Sequence, residues 1–82
     1  MAGKLSLRIL GEYLKSGEQG LADFELEPLI PEYIPATIRG ARVKLYREGW
    51  CRKIAEIPNE RGRAAFVYAL TEKARINLPT LQ

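Results

Sequence analysis

Between Pro35 and Leu70 the chain runs a helical apolar pattern into a glycine and then into two strand-like runs, and that order leaves little freedom in how it can pack. Ile38, Ala41 and Leu45 fall at i, i+3 and i+7, the spacing of one buried helical stripe. Pro35 suits the first turn, and Gly49 suits the position just past the last, so the pattern predicts a helix over Pro35–Glu48. At about 100° per residue, the side opposite Ile38 holds Ala36, Gly40, Val43 and Arg47. Arg39 flanks that line on one edge, with Thr37 and Lys44 on the other. Small residues along the centre would let the helix backbone sit deep in a groove. Arg42 lies nearer the buried stripe, so its stem is expected to pack while its head reaches out.

Trp50–Ile57 has strand-type residues with partial alternation, and Ala64–Leu70 alternates with Phe66, Tyr68 and Leu70 on one face. The turn residues Pro58-Asn59-Glu60-Arg61-Gly62 between them predict a two-stranded hairpin. Thr71 is placed to cap a short final helix that ends before Pro79, leaving a frayed tail over 79–82. Towards the N-terminus, Leu10, Tyr13 and Leu14 mark a helix over Leu5–Lys15, with Ser6 as a candidate cap and Gly17 as the stop. Gly11 inside it costs about 1 kcal/mol relative to alanine, which a close helix crossing would explain. Gly17 to Leu21 reads as a polar connection. A second helix follows over Asp23–Ile30, awkward at Pro28, and Pro31 and Pro35 force a turn after it. The expected fold is α+β and mostly helical: three helices, a two-stranded β-hairpin and a short C-terminal helix, in one domain with its core over residues 5–75.

Eighty-two residues support one thin core, so a second copy or a partner surface would add stability. No apolar run approaches the roughly 20 residues of a membrane helix, and a cytoplasmic protein is expected. With one cysteine, Cys51, and no histidine, a disulfide within the chain is impossible and a zinc site is not expected. Cys51 reads as a small hydrophobe opening a strand. Histidine, the commonest general base, is missing, and there is neither a nucleophile motif nor a glycine-rich phosphate loop. Neither catalysis nor a cofactor or metal is expected.

Charge is polarised along the chain. From Glu12 to Ala36 one base stands against six acids, whereas from Thr37 to Arg63 eight bases stand against three acids. A local cationic surface of this kind steers towards phosphate even at a net charge of only +3. Tyr13, Tyr33, Trp50, Phe66 and Tyr68 fall on faces that the helices and hairpin should bury, and read as packing rather than as base-stacking platforms.

Thr37-Ile38, Leu45 and Gly49 resemble the pattern of a winged helix-turn-helix recognition helix: a Thr-Ile/Val pair, a leucine in the next-to-last turn and a closing glycine. Gly62-Arg63 and then Tyr68-Ala69-Leu70-Thr71-Glu72-Lys73 resemble the residues that close the wing in that superfamily, with Ala74 where many members have glycine. The likeness covers about Leu5 to Arg75. It implies a small sequence-specific duplex-DNA-binding protein of the transcriptional-regulator type, at the nucleoid in a bacterial or archaeal cell. The helix 35–48 would lie in the major groove and the wing 52–66 on the backbone or minor groove. Arg39 is the expected base reader, with Thr37, Gly40, Val43 and Lys44 at base edges or backbone. Arg47, Arg52, Lys53, Arg61 and Arg63 would neutralise phosphates. The segment Glu25–Pro31 departs from the superfamily in its acidity, which argues against its lying on DNA. An alternative is a protein-interaction module docking through the acidic segment 18–32, including a homodimer contact.

Overall fold

The computed structural model describes residues 3–58 and 64–81. The chain is α+β and mostly helical, and its helices enclose one face of a three-stranded antiparallel sheet. Helix α1 (Lys4–Ser16) buries Ile9, Leu10 and Tyr13, and ends where Gly17, at φ 61°, turns its N–H back to the Tyr13 and Leu14 carbonyls. Gly3, not Ser6, occupies the N-cap, and no side chain caps the helix. The close crossing expected at Gly11 is absent: nothing lies within 4 Å of where its Cβ would be.

The supposed polar connection after α1 holds a 3-10 turn, Gly17–Gln19, and then a strand, β1 (Leu21–Ala22). β1 pairs with β3 (Ala64–Leu70), Leu21 opposite Tyr68 and Ala22 opposite Val67, so the hairpin becomes a sheet of order β1-β3-β2. Gly20 makes this possible. At φ 68° it brings the backbone so close to β3 that a Cβ would collide with the Tyr68 carbonyl oxygen. A strand of two residues is too short to show alternation, which is why the sequence hides it.

Helix α2 is shorter than expected, Asp23–Leu26, and passes into a 3-10 turn at Glu27–Leu29. Pro28 has no N–H to continue the α-helical ladder. Glu25 accepts the Ala22 N–H at 2.9 Å and fixes the start, while Leu26 and Ile30 are fully buried on either side of the turn. Helix α3 (Pro35–Arg47) follows the predicted stripe: Ile38 and Leu45 are buried, and Ala41 packs against the core. Gly49, at φ 83°, then turns the chain into β2 (Cys51–Pro58).

β2 and β3 pair from Cys51 opposite Leu70 to Pro58 opposite Ala64, with a bulge between Lys53 and Ala55. The bulge explains the imperfect alternation of β2. Phe66, Tyr68 and Leu70 face the helices, as their alternation predicted. Val67 and Ala69 are buried as well, on the opposite face. Helix α4 (Glu72–Leu81) runs through Pro79, so the helix extends into the tail expected to fray. Ala74 and Leu78, four residues apart, are both buried and hold it to the core. Thr71 caps it as expected, accepting the Ala74 N–H at 3.2 Å. Among the described residues no helix is long and apolar enough to cross a membrane.

Candidate nucleic-acid interface

The bases of α3 divide into two kinds. Arg42 is held inward: its Nε and Nη2 donate to the two carboxylate oxygens of Asp23 at 2.9 and 2.6 Å, and its guanidinium stacks 4.3 Å from the Tyr68 ring centre. Only 12% of its side chain is exposed. Its head therefore does not reach out as expected, because the carboxylate that opens α2 lies directly in its path. Burial works against the guanidinium charge, but the hydrogen bonds and charge of Asp23 outweigh it and raise the Arg42 pKa. The same burial pushes the Cys51 thiol up to about 11, despite the opposing charge of Arg42. The thiol is a packed hydrophobe, inert at neutral pH. Tyr13, also against this cluster, has its hydroxyl pKa raised chiefly by burial, and its Oη has no hydrogen-bond partner among the described residues.

On the outer side of α3, Ala36, Thr37, Arg39, Gly40, Lys44 and Arg47 are exposed and Val43 is half-buried. Lys44 and Arg47 make no ion pair among the described residues. Two cations of α1 are by contrast paired, Arg8 with Glu32 at 2.6 Å and Lys15 with Glu12 at 3.7 Å. Gly40 stands mid-helix with nothing within 4 Å of where a Cβ would be. Among the described residues nothing accounts for a glycine at a place where alanine would favour the helix by about 1 kcal/mol.

Arg39, the expected base reader, is 56% exposed and donates from Nε to Glu27 at 3.0 Å. Sequence reasoning missed both acids, Asp23 at the start of α2 as the partner of Arg42 and Glu27 in the following 3-10 turn as the partner of Arg39. A signal was available: acids four apart, Asp23 and Glu27, precede bases three apart, Arg39 and Arg42, on the next helix.

The hairpin splits the remaining candidates. Lys53 shares the sheet face of Tyr68 and places its Nζ 3.8 Å from the Phe66 ring centre, on the side that α3 packs against. Arg52 pairs with Ala69 on the other face, in a depression it lines with Glu18, Glu72 and Arg75. Adjacent strand residues point to opposite faces, so Arg52 is set apart from α3 and belongs to a mixed-charge surface. Arg61 and Arg63 lie outside the described residues.

The joint between α3 and the hairpin is held by Lys73, noticed in the sequence only as part of a motif, and by Thr71, noticed there as a helix cap. Lys73 donates to the Glu48 carbonyl at 2.8 Å and lies 4.4 Å from the Trp50 ring centre. Thr71 donates to the Gly49 carbonyl at 2.6 Å, and its N–H reaches the Trp50 carbonyl at 3.2 Å. The cation at the C-terminal end of α3 also complements the helix dipole. The first turn of α4 thus clamps the joint between helix and strand.

Among the described residues no group of three or more histidine, cysteine, aspartate or glutamate side chains is arranged to hold a metal. No family model matches the chain, and no curated protein is significantly similar to it.

Proposed function

We propose that this chain binds duplex DNA as a winged helix-turn-helix domain, with α3 in the major groove and the β2–β3 hairpin as its wing. The observation that carries this is the outer face of α3. Exposed Lys44 at the edge and Arg47 at the end of a line of small residues through Gly40 are unpaired among the described residues. That face offers cations to phosphate while letting the helix backbone approach base edges. The element order supports the same reading, since a short helix precedes α3 and a hairpin follows it through a clamped joint. A small protein seated on a promoter regulates transcription by occupancy.

Fluorescence anisotropy with a labelled duplex at several salt concentrations tests the proposal. About four to six phosphate contacts give a log-log slope of about −4 to −5. Binding that is absent, or indifferent to salt, contradicts it.

Docking through the acidic segment has weaker support, because Asp23, Glu25, Glu27 and Glu32 are engaged within the chain. What favours it is apolar: Phe24 and Leu29 are 57% and 43% exposed on that segment. Sedimentation of Phe24→Ala against the unmodified protein checks whether this surface joins two copies.

A further inference from the structure

Arg39 and Glu27 meet in a way that leaves a particular edge of the guanidinium free. The Nε–H is taken by the Glu27 carboxylate at 3.0 Å, while neither Nη nitrogen donates a hydrogen bond among the described residues. A guanidinium is planar, so a hydrogen bond at Nε restricts the directions in which the Nη1/Nη2 edge can point. That edge carries the parallel donors that match two acceptors on a guanine. Arg42 shows the contrast, since its Nε and Nη2 are both consumed by Asp23.

The backbone that carries this carboxylate is anchored: Glu27 lies between the fully buried Leu26 and Pro28, its carbonyl accepts the Ile30 N–H at 3.2 Å, and Ile30 is fully buried. Its side chain is 20% exposed against 56% for Arg39, so the acid is the fixed partner and the arginine the one presented to solvent. An arginine free on four rotatable bonds loses that freedom on binding a base; one already oriented loses less.

We propose that Glu27 is a positioning residue for base recognition: it holds Arg39 by Nε and aims the Nη edge outward to read one guanine. The inference rests on the DNA-binding function proposed above. It gives the acidic segment around Glu27 a task that does not require it to touch DNA. It also separates two effects of the same carboxylate. As a negative charge Glu27 weakens attraction to every phosphate alike, whereas as a hydrogen-bond acceptor it sharpens the choice among base pairs.

The test uses a duplex selected from a random pool and the base pair at which Arg39→Ala loses its preference. Affinities for the preferred and substituted duplexes are measured for the unmodified protein, Glu27→Ala and Glu27→Gln. Glu27→Ala should cut the preference roughly tenfold, within the ~5- to 150-fold carried by a whole bidentate arginine–guanine pair. Glu27→Gln, which keeps an acceptor without the charge, should retain most of the preference while binding all duplexes more tightly. In an Arg39→Ala background, Glu27→Ala should change the preference no further.

A preference unchanged in Glu27→Ala, with affinity rising equally on all sequences, would make Glu27 only a screening charge and overturn the proposal. Equal losses in the alanine and glutamine variants would overturn it too, as would an Arg39→Ala variant that weakens every duplex alike. In each of these cases the unmodified protein still binds DNA, and only the role of Glu27 fails. Absence of salt-dependent binding by the unmodified protein removes both.

Discussion

Arg39 and Arg42 stand three residues apart on one helix, and each meets a carboxylate from the short segment Asp23–Leu29, yet their surroundings set them apart. Arg42 is forked onto Asp23, stacked on Tyr68 and nearly sheltered from solvent, so it joins α2, α3 and the sheet. Arg39 keeps one hydrogen bond and more than half its exposure, so its charge still faces outward. A residue type on a helix says little by itself. What decides is how many of its donors the fold consumes.

The difference should be plainest in stability. Arg42→Ala leaves Asp23 without its partner in a largely buried setting, and is expected to destabilise the fold by about 3 kcal/mol in urea unfolding. Arg39→Ala removes an exposed pair and should change stability by less than about 1 kcal/mol. On DNA the order reverses for specificity: Arg39→Ala should lose about 1–3 kcal/mol of discrimination at one base pair. If both variants unfolded equally easily, the division of α3 into an inner and an outer arginine would fail.

Two glycines sharpen the same contrast. Gly11 in α1 and Gly40 in α3 both sit mid-helix with open space where a Cβ would be. Alanine at either position should stabilise the fold by about 0.5–1 kcal/mol, measured by thermal or urea unfolding. Only Gly40→Ala should also weaken DNA binding, because the proposed docking brings only the α3 backbone close to the duplex. Equal DNA affinity for the two variants would place the contact surface elsewhere.

The inner side makes a smaller prediction about pH. Burial raises the Cys51 thiol from its ordinary 9.0 to about 11 in the folded chain. The neutral thiol is thus favoured by folding, and the sign follows. Its contribution to stability is whole below pH 9 and is lost as pH rises towards about 11, where the unfolded chain ionises first. Cys51→Ala should flatten that part of the profile. Alkylation at pH 8 should be slow until the protein is unfolded.

Much of this fold is written in periodicity. The stripe of Ile38, Ala41 and Leu45 and the alternation of Phe66, Tyr68 and Leu70 each reflect a face that must be buried, and the structure packs both into the core, while the glycine at 49 marks the turn between them. What periodicity cannot carry is β1, two residues admitted to the sheet by the absence of a side chain at Gly20. Nor does it carry the continuation of α4 through Pro79, where burial of Leu78 outweighs a local preference against helix. For the candidate site, the cationic surface was legible but the division within it was not. Arg42 and Arg52 look equivalent to Arg39 and Lys53 as letters. They separate only when Asp23 is brought against α3 and when the strand's pleat turns Arg52 to the far face.

The central claim is that the outer face of α3 meets DNA, and amide chemical-shift mapping in a duplex titration tests it most directly. The account predicts shifts concentrated at Ala36, Thr37, Gly40, Val43, Lys44 and Arg47, extending to Lys53 and weak at Arg52. Shifts centred instead on Phe24 and Leu29, or no shifts at a duplex concentration well above that of the protein, would contradict it.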